Sequence, residues 1–223
     1  PDKSEDFQYF YPTRVLETGH DILFFWVARM IMMGIENTSQ IPFDTVYLHG
    51  LVRDPEGVKM SKTKGNVMDP IDLIDLYGAD ALRFALTSGN TPGNDMRLNE
   101  QKMESSRNFA NKLWNASRFV MNSITKHDNS DELTWPPVPE HLEDRWIISR
   151  LNRVICSVDL SMKEYQIGEA QRAIHDFLWN EYCDWYLEMS KVRIRNSDSS
   201  ALPVLAFVLE KILRLLHPFM PFI

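Results

Sequence analysis

The sequence predicts an α/β part followed by an all-α helical bundle. Three observations carry that expectation. Apolar β-like runs alternate with helical runs through residue 98. From about Asn99 onward, apolar residues recur only at spacings that keep one helical face apolar. Within the α/β part, past a β-like run, lies a polar loop rich in Lys, Ser, Thr and Gly, bounded by Gly57 and Gly65.

Taken in order, residues 1–18 are aromatic and read as irregular (Phe7, Tyr9, Phe10, Tyr11, Pro12). Gly19 and His20 precede a dense apolar helix, about Asp21–Met33, with Asp21 at the end where a carboxylate is favoured and Gly34 as its stop. Its run from Ile22 to Ile35 contains Arg29 and is short for a membrane span, so it reads as a buried helix. Thr45–Val52 is β-rich and apolar, a strand of the buried kind. Asp54-Pro55-Glu56-Gly57 is a turn. Pro70 opens a helix over about Ile71–Tyr77, closed by Gly78, and Asp80–Leu86 is another. Gly89 to Gly93 forms a second loop.

Four amphipathic helices follow, a bundle pattern. The first buries Met103, Ala110, Leu113, Val120, Met121 and Ile124. His127–Pro139 is a linker. The second helix buries Ile147, Leu151, Val154, Ile155, Val158 and Met162, and the third Ala170, Ile174, Phe177, Leu178, Trp185 and Met189. Asn196–Ser200 is a polar loop, and the fourth helix buries Leu205, Val208, Leu209, Ile212, Leu215 and Leu216 before Pro218 ends it.

The 223 residues suffice for two modest domains, and 44% apolar content is ordinary for a globular protein. The net charge of −7 argues against wholesale nucleic-acid coating and leaves room for a local basic face. Cys156 and Cys183 give neither a disulfide framework nor metal-ligand spacing, which fits a reducing cytosol, with both thiols buried. No secretory signal opens the chain and no membrane contact is expected. Its abrupt ends read as those of a piece of something longer.

The most informative stretch is Lys59-Met60-Ser61-Lys62-Thr63, within KMSKTKGNVMDP. Two ammonium groups on a loop bounded by Gly57 and Gly65, past a strand end, suit a polyphosphate. The string resembles the KMSKS signature of the class I aminoacyl-tRNA synthetases, in their valine, isoleucine and leucine branch. Thr63 stands where that signature ends in Ser, and both carry a hydroxyl. The run Thr18–Met30 (TGHDILFFWVARM) resembles the valine members of the branch. Ala79–Phe84 resembles the junction motif that follows the lysine loop. Ser106–Phe119, Phe177–Lys191 and Leu216–Ile223 resemble the anticodon-binding domain.

The resemblance implies a remnant of a Rossmann-like catalytic domain over 1–66, a stem-contacting junction over 67–98 and a helical anticodon-binding domain over 99–223. It implies ATP and valine as substrates, magnesium accompanying ATP without a dedicated metal cage in this chain, and tRNA(Val) as partner. Lys62 would meet the phosphates with Lys59 as its partner, while Ser61 and Thr63 shape the loop. His49 and Gly50 would lie against the adenosine. Asp21 would meet the amino group, and Ile22 and Trp26, four apart on one helix face, would line the side-chain slot. A slot of that kind rejects an isosteric hydroxyl poorly, so the resemblance implies an editing domain, outside this chain.

Residues 102–126 hold five cations against one anion. Lys112, Arg118, Arg150, Arg153, Lys191, Arg193 and Arg195 are candidates for tRNA phosphates, although cations at the end of the third helix also suit its dipole. Trp114, Trp179 and Trp185 read as core rather than as base-stacking platforms. The family's other signature, HIGH, is absent from these residues. The chain by itself is therefore expected to be inactive. An isoleucine or leucine enzyme, or a non-catalytic tRNA-binding module, are the alternatives.

Overall fold

The computed structural model describes residues 4–126 and 135–223. Two compact units emerge, one of residues 1–66 with 90–97 and one of residues 67–89 with 98–223.

The first unit is a small α/β assembly. Helix α1 (Glu5–Phe10) is capped by the Ser4 side chain, which accepts from the Phe7 amide at 3.2 Å. Strand β1 (Thr13–Gly19) pairs in parallel with β2 (Phe43–His49), in register from Thr13 opposite Phe43 to Gly19 opposite His49. Parallel strands need a crossover. It is made by a 3₁₀ turn (His20–Ile22), one stretch of wider i→i+5 turns (Leu23–Val27) and helix α2 (Ala28–Thr38). After β2 the chain makes β3 (Val52–Arg53), which pairs in parallel with β4 (Met96–Arg97).

Several features of this unit depart from expectation. Residues 1–18 are not irregular, because α1 and β1 occupy them as far as they are described; β1 is stabilised by a partner thirty residues away that its own composition does not announce. The apolar run Ile22–Ile35 is not a buried helix: Val27 is its buried residue, while Phe24, Phe25, Met32 and Met33 stand well exposed. Gly34 does not stop α2, which continues to Thr38 and ends at Ser39 in the left-handed conformation. Instead, a Cβ on Gly34 would lie 2.8 Å from the Tyr11 hydroxyl and 3.2 Å from Pro42, so this glycine permits close packing. The strand expected over Thr45–Val52 is interrupted at Gly50, where the chain passes from one pairing to the next.

The second unit is helical. Asp69 caps α3 (Pro70–Tyr77), and Gly78, at φ +92°, both ends α3 and begins α4 (Ala79–Thr87). The long helices are α5 (Glu100–Lys126) and α6 (Leu142–Lys163). A continuous rod follows, made of α7 (Ile167–Asp176), an i→i+5 stretch (Phe177–Tyr186) and α8 (Leu187–Arg195), and α9 (Ala201–Leu216) closes the bundle. The core gathers Phe109, Leu113, Ile147, Leu151, Ile174, Phe177, Leu205 and Ile212, among others. Of the expected linker, 127–134 lie outside the described residues; past them, Trp135 packs edge-on against Phe207.

The wider turns change which side chains face the core. A 3.6-residue period puts Trp185 and Met189 on the core face with Phe177 and Leu178. Over Phe177–Tyr186 the turns are wider, so Tyr182, Cys183, Tyr186 and Leu187 take the core and Trp185 is exposed. Trp114 is also exposed, one position off the stripe of Leu113 and Ala116, and Met121 and Met162 are exposed beside their own stripes. Trp179 is partly buried against the core. Cys183 is buried, and burial pushes its thiol up to about 11, but Cys156 is exposed, against the expectation of two buried thiols.

The helical sequence motifs lock the unit together. Arg83 in α4 donates to the carbonyls of Pro218 and Phe219 at 3.0 and 3.1 Å, and Asp80, nearly buried, accepts from the Phe222 amide. Deeper, Arg193 donates to Asp144 at 2.7 Å, Glu143 at 3.2 Å, Asp198 at 3.0 Å and Ser200 at 2.6 Å. Asp144 is fully buried and also accepts from the Tyr186 hydroxyl at 2.7 Å.

Arg193→Ala would strand Asp144 as a buried, half-paired carboxylate. The expected loss is about 3–5 kcal/mol of unfolding free energy, measured by urea titration of the helical unit's transition. A loss below about 1 kcal/mol would mean that the cluster is well solvated.

Candidate functional site

The register of β1 and β2 brings two segments to the same carboxyl end. Gly19 lies opposite His49, and the next residues are His20-Asp21 on one side and Gly50 on the other. Ligands of parallel α/β sheets are held at such ends. Two glycines lie at this end. A Cβ on Gly19 would stand 2.7 Å from Asp21 Oδ1 and 3.6 Å from His49 Cε1. A Cβ on Gly50 would stand 1.6 Å from the Asn94 carbonyl oxygen, a collision with backbone that no rotamer relieves. His49 Nδ1 lies 2.9 Å from the Gly50 carbonyl. A carbonyl only accepts, so Nδ1 donates, and Nε2 lies 3.7 Å from a Glu17 carboxylate oxygen.

The lysine loop is anchored to this end from below. Asp54 accepts from the Val58 amide at 2.6 Å, its backbone closes the turn through Gly57, and Gly57 takes φ +83° there. Arg53 donates to Asp95 at 2.6 Å and to the Gly57 carbonyl at 3.2 Å, while Asp95 also accepts from the Leu51 amide at 2.8 Å. Asn66 ties the loop's two limbs. Its carbonyl accepts from the Ser61 amide at 2.9 Å, and its NH₂ donates to Asp54 at 2.8 Å and to the Lys59 carbonyl at 3.3 Å. The Asn66 bond, reinforced by backbone amides and opposed by partial burial, holds the Asp54 carboxyl below its usual range. The Leu51 amide and Arg53 do the same for Asp95.

Within the loop, the hydroxyls of Ser61 and Thr63 lie 2.6 Å apart, and Lys62–Lys64 make a single 3₁₀ turn closed by Gly65 at φ +69°. Lys59 reaches Asp21 with Nζ–Oδ2 at 3.0 Å, and this bond is the chief reason that the Asp21 carboxyl is lowered. Lys62 is exposed and makes no ion pair among the described residues. The fold therefore brings Asp21 and Lys59 together and leaves Lys62 in solvent at the tip. Among the described residues no group of three acidic, His or Cys side chains could hold a metal.

Ile22 and Trp26 are half exposed. Their four-residue spacing does not by itself give them a common face. Ile22 ends a 3₁₀ turn with ψ near zero and Trp26 lies in the i→i+5 stretch, so neither follows α-helical geometry. The residues that sequence reasoning passed over are the anchors Arg53, Asp54, Asn66 and Asp95. Asn66 lies within KMSKTKGNVMDP, but its bonds to residues five, seven and twelve positions back depend on the turn between them.

The candidate tRNA cations divide by their surroundings. Arg193 is sequestered in the internal cluster, and Arg150 holds Glu181 in a bidentate pair at 2.6 and 2.7 Å, so neither belongs to an exposed basic set. Lys112 bonds Asp184 at 2.8 Å and sits over the Trp179 ring; Lys191 bonds Glu188 at 2.6 Å and sits over Phe119. Arg118, Arg153 and Arg195 are exposed and make no ion pair among the described residues. Arg145 and Arg153 line a broad open groove of about 610 Å³ with Ser149, Asn152 and Cys156.

Two family models match the chain: tRNA synthetases class I (I, L, M and V) over residues 1–99, and the anticodon-binding domain of tRNA ligase over residues 144–223. A valine–tRNA ligase of Dehalococcoides mccartyi is 60% identical, covering 100% of this chain and 25% of the relative; one of Clostridium tetani is 54% identical, covering 100% and 26%. The chain thus spans about a quarter of the length of the curated relatives it matches. Mycobacterium tuberculosis methionyl-tRNA synthetase in complex with methionyl-adenylate matches in fold, with a TM-score of 0.80 at 23% identity over 99% of this chain and 44% of that one. No helix of the described residues is long and apolar enough to cross a membrane.

Asn66→Ala removes three bonds that close the loop. Hydrogen exchange at the Ser61 amide is expected to speed up about tenfold, from the loss of roughly 1–1.5 kcal/mol of local stability. Unchanged protection would show that the loop is held by other contacts.

Proposed function

The chain belongs to the class I tRNA synthetases, with an anticodon-binding domain after its catalytic part, and from that premise we propose that the whole protein is a valine–tRNA ligase. It would activate valine with ATP to valyl-adenylate and transfer it to tRNA(Val) in the cytoplasm. The observation that carries this reading is the union of two features. The KMSKT loop is anchored beside the carboxyl ends of β1 and β2, and identity to valine–tRNA ligases extends over the whole chain.

In the first step the valine carboxylate attacks the α-phosphorus of ATP and pyrophosphate leaves. Negative charge shifts onto the leaving phosphates, and positioned cations stabilise it without covalent chemistry from the protein. Lys62 suits this role, being exposed at the loop tip and not engaged with a carboxylate among the described residues. An ammonium about 4 Å from a phosphate oxygen contributes roughly 4 kcal/mol at an effective dielectric near 20. Lys59 would be its partner, and the hydroxyl contact between Ser61 and Thr63 would shape the loop between them. His49 and Gly50 would lie against the adenosine, and magnesium would arrive with ATP. Asp21 would receive the valine ammonium, with Ile22 and Trp26 against the isopropyl group.

Residues 1–66 would serve as the end of the catalytic domain, 67–98 as a junction against the tRNA stem and 99–223 as the anticodon-binding domain. Arg118, Arg153 and Arg195 are the best placed cations for tRNA phosphates, with Lys112 and Lys191 able to exchange their exposed partners.

Pyrophosphate exchange by the whole protein tests the reading. It should depend on valine, and dependence on isoleucine or leucine instead would overturn it. In the same assay Lys62→Ala should slow adenylate formation by about 10²-fold or more. The 223 residues alone, without a HIGH motif, should give no exchange. Binding of tRNA(Val) to the whole protein should weaken with salt. Replacing Arg118, Arg153 and Arg195 with Ala should flatten the log–log slope by about 1 for each phosphate that is no longer neutralised. An unaltered slope in filter binding would remove these three from the interface.

A further inference from the structure

The lysine that should serve the triphosphate and the carboxylate that should receive the amino acid are bonded to each other. Lys59 Nζ lies 3.0 Å from Asp21 Oδ2, across 38 positions of sequence. We infer, resting on the functional reading above, that this pair is a resting latch: in the empty site Lys59 occupies the carboxylate that the valine ammonium takes, so that valine binding releases Lys59 toward ATP and the two substrates bind with positive coupling.

The geometry supplies both halves. Asp21 turns Oδ1 toward Gly19 at the strand end, where a Cβ would stand 2.7 Å away, and gives Oδ2 to the loop. The carboxylate thus has one oxygen facing the strand end and the other on Lys59, and a second ammonium arriving at the strand end meets Lys59 already there. Like charges about one carboxylate repel, so the newcomer weakens the hold on Lys59. The other titratable groups at this end are His20, next in sequence, and His49 with Glu17. Neither histidine is placed on Asp21 Oδ2.

The loop is built to let go at this point. Asn66 fixes the Ser61 amide and the Lys59 carbonyl, so the backbone keeps its place while the Lys59 side chain swings. The pair is open to water, with side-chain exposures of 55% for Lys59 and 39% for Asp21, so water and a competing ammonium reach it. Exposed pairs of this type shift equilibria by about two- to fivefold, enough to couple two ligands and too little to lock the loop shut. Linkage makes the coupling reciprocal: ATP must raise valine affinity by the same factor.

The test uses the whole protein, valine and an ATP analogue with a methylene bridge between its α and β phosphates, which cannot react. In the wild type, saturating valine should tighten analogue binding about two- to fivefold by calorimetry. Asp21→Asn should tighten the analogue by a similar factor without valine, and valine at concentrations that saturate the variant should add nothing further. Asp21→Glu, which keeps the charge, should restore the coupling. If Asp21→Asn instead weakens the analogue, the pair positions Lys59 for phosphate and the latch is wrong. An unchanged analogue affinity, or coupling that survives in Asp21→Asn, overturns it equally. Valine-dependent pyrophosphate exchange by the wild type separates the two failures: its absence sinks the functional reading, whereas normal exchange with the wrong Asp21→Asn result sinks only the latch.

Discussion

Parallel strands cannot be joined by a tight turn, and that constraint organises the α/β unit of this chain. The segment between Gly19 and Phe43 must cross over before β2 can lie beside β1, and helix α2 makes the crossing. Once the register is set, the residues after both strands emerge at one end. Asp21 and Gly50 become neighbours of the site for that reason and no other. Gly50 then becomes obligatory, since a Cβ there would meet the Asn94 backbone, whereas a Cβ at Gly19 would meet the movable tip of Asp21. Strand pairing, the Gly50 approach and the position of the candidate site residues are one geometric solution.

The lysine loop combines a fixed frame with free tips. Its frame is a set of charge-assisted and neutral hydrogen bonds through Asp54, Asn66, Arg53 and Asp95, with Gly57 and Gly65 in left-handed backbone that other residues rarely adopt. Its ammonium groups stand on long side chains at the surface, Lys59 against Asp21 and Lys62 exposed. Rigidity belongs to the backbone, which would otherwise lose entropy on meeting any ligand, and mobility is kept in the long side chains. The pairing of Lys59 with Asp21 fits this division, because it engages a tip rather than the frame.

The helical unit sorts its cations in a way that charge counting does not reveal. Arg193 is nearly buried and satisfies Asp144, Glu143, Asp198 and Ser200, holding α8 to α6 and to the loop before α9. Asp198 responds with a carboxyl lowered to about 2, chiefly by the Ser200 hydroxyl, with its amide and Arg193 adding to it. Arg118, Arg153 and Arg195, drawn from the same composition, face solvent. Equal charges thus end either in internal cohesion or on a solvated face, depending on whether a carboxylate waits in the interior.

Local chemistry along the chain determines several elements outright. Asp69-Pro70 begins α3 and Gly78 ends it; the turn at Asp54–Gly57, the apolar stripe of α9 and that of α6 as far as Val158 lie where spacing put them. The lysine string and the apolar run at Thr18–Met30 were legible as words. What they touch was not. β1 escaped notice because its partner is thirty residues away, and the core face of the α7–α8 rod was misread because wider turns at Phe177–Tyr186 break the 3.6-residue period. The exposed Trp114 and Trp185, the sequestered Arg193 and the bond from Lys59 to Asp21 are likewise decisions of the tertiary structure. Periodicity and capping act over a few residues and can be read along the chain; burial and pairing depend on which distant segment arrives alongside, and only the folded backbone settles that.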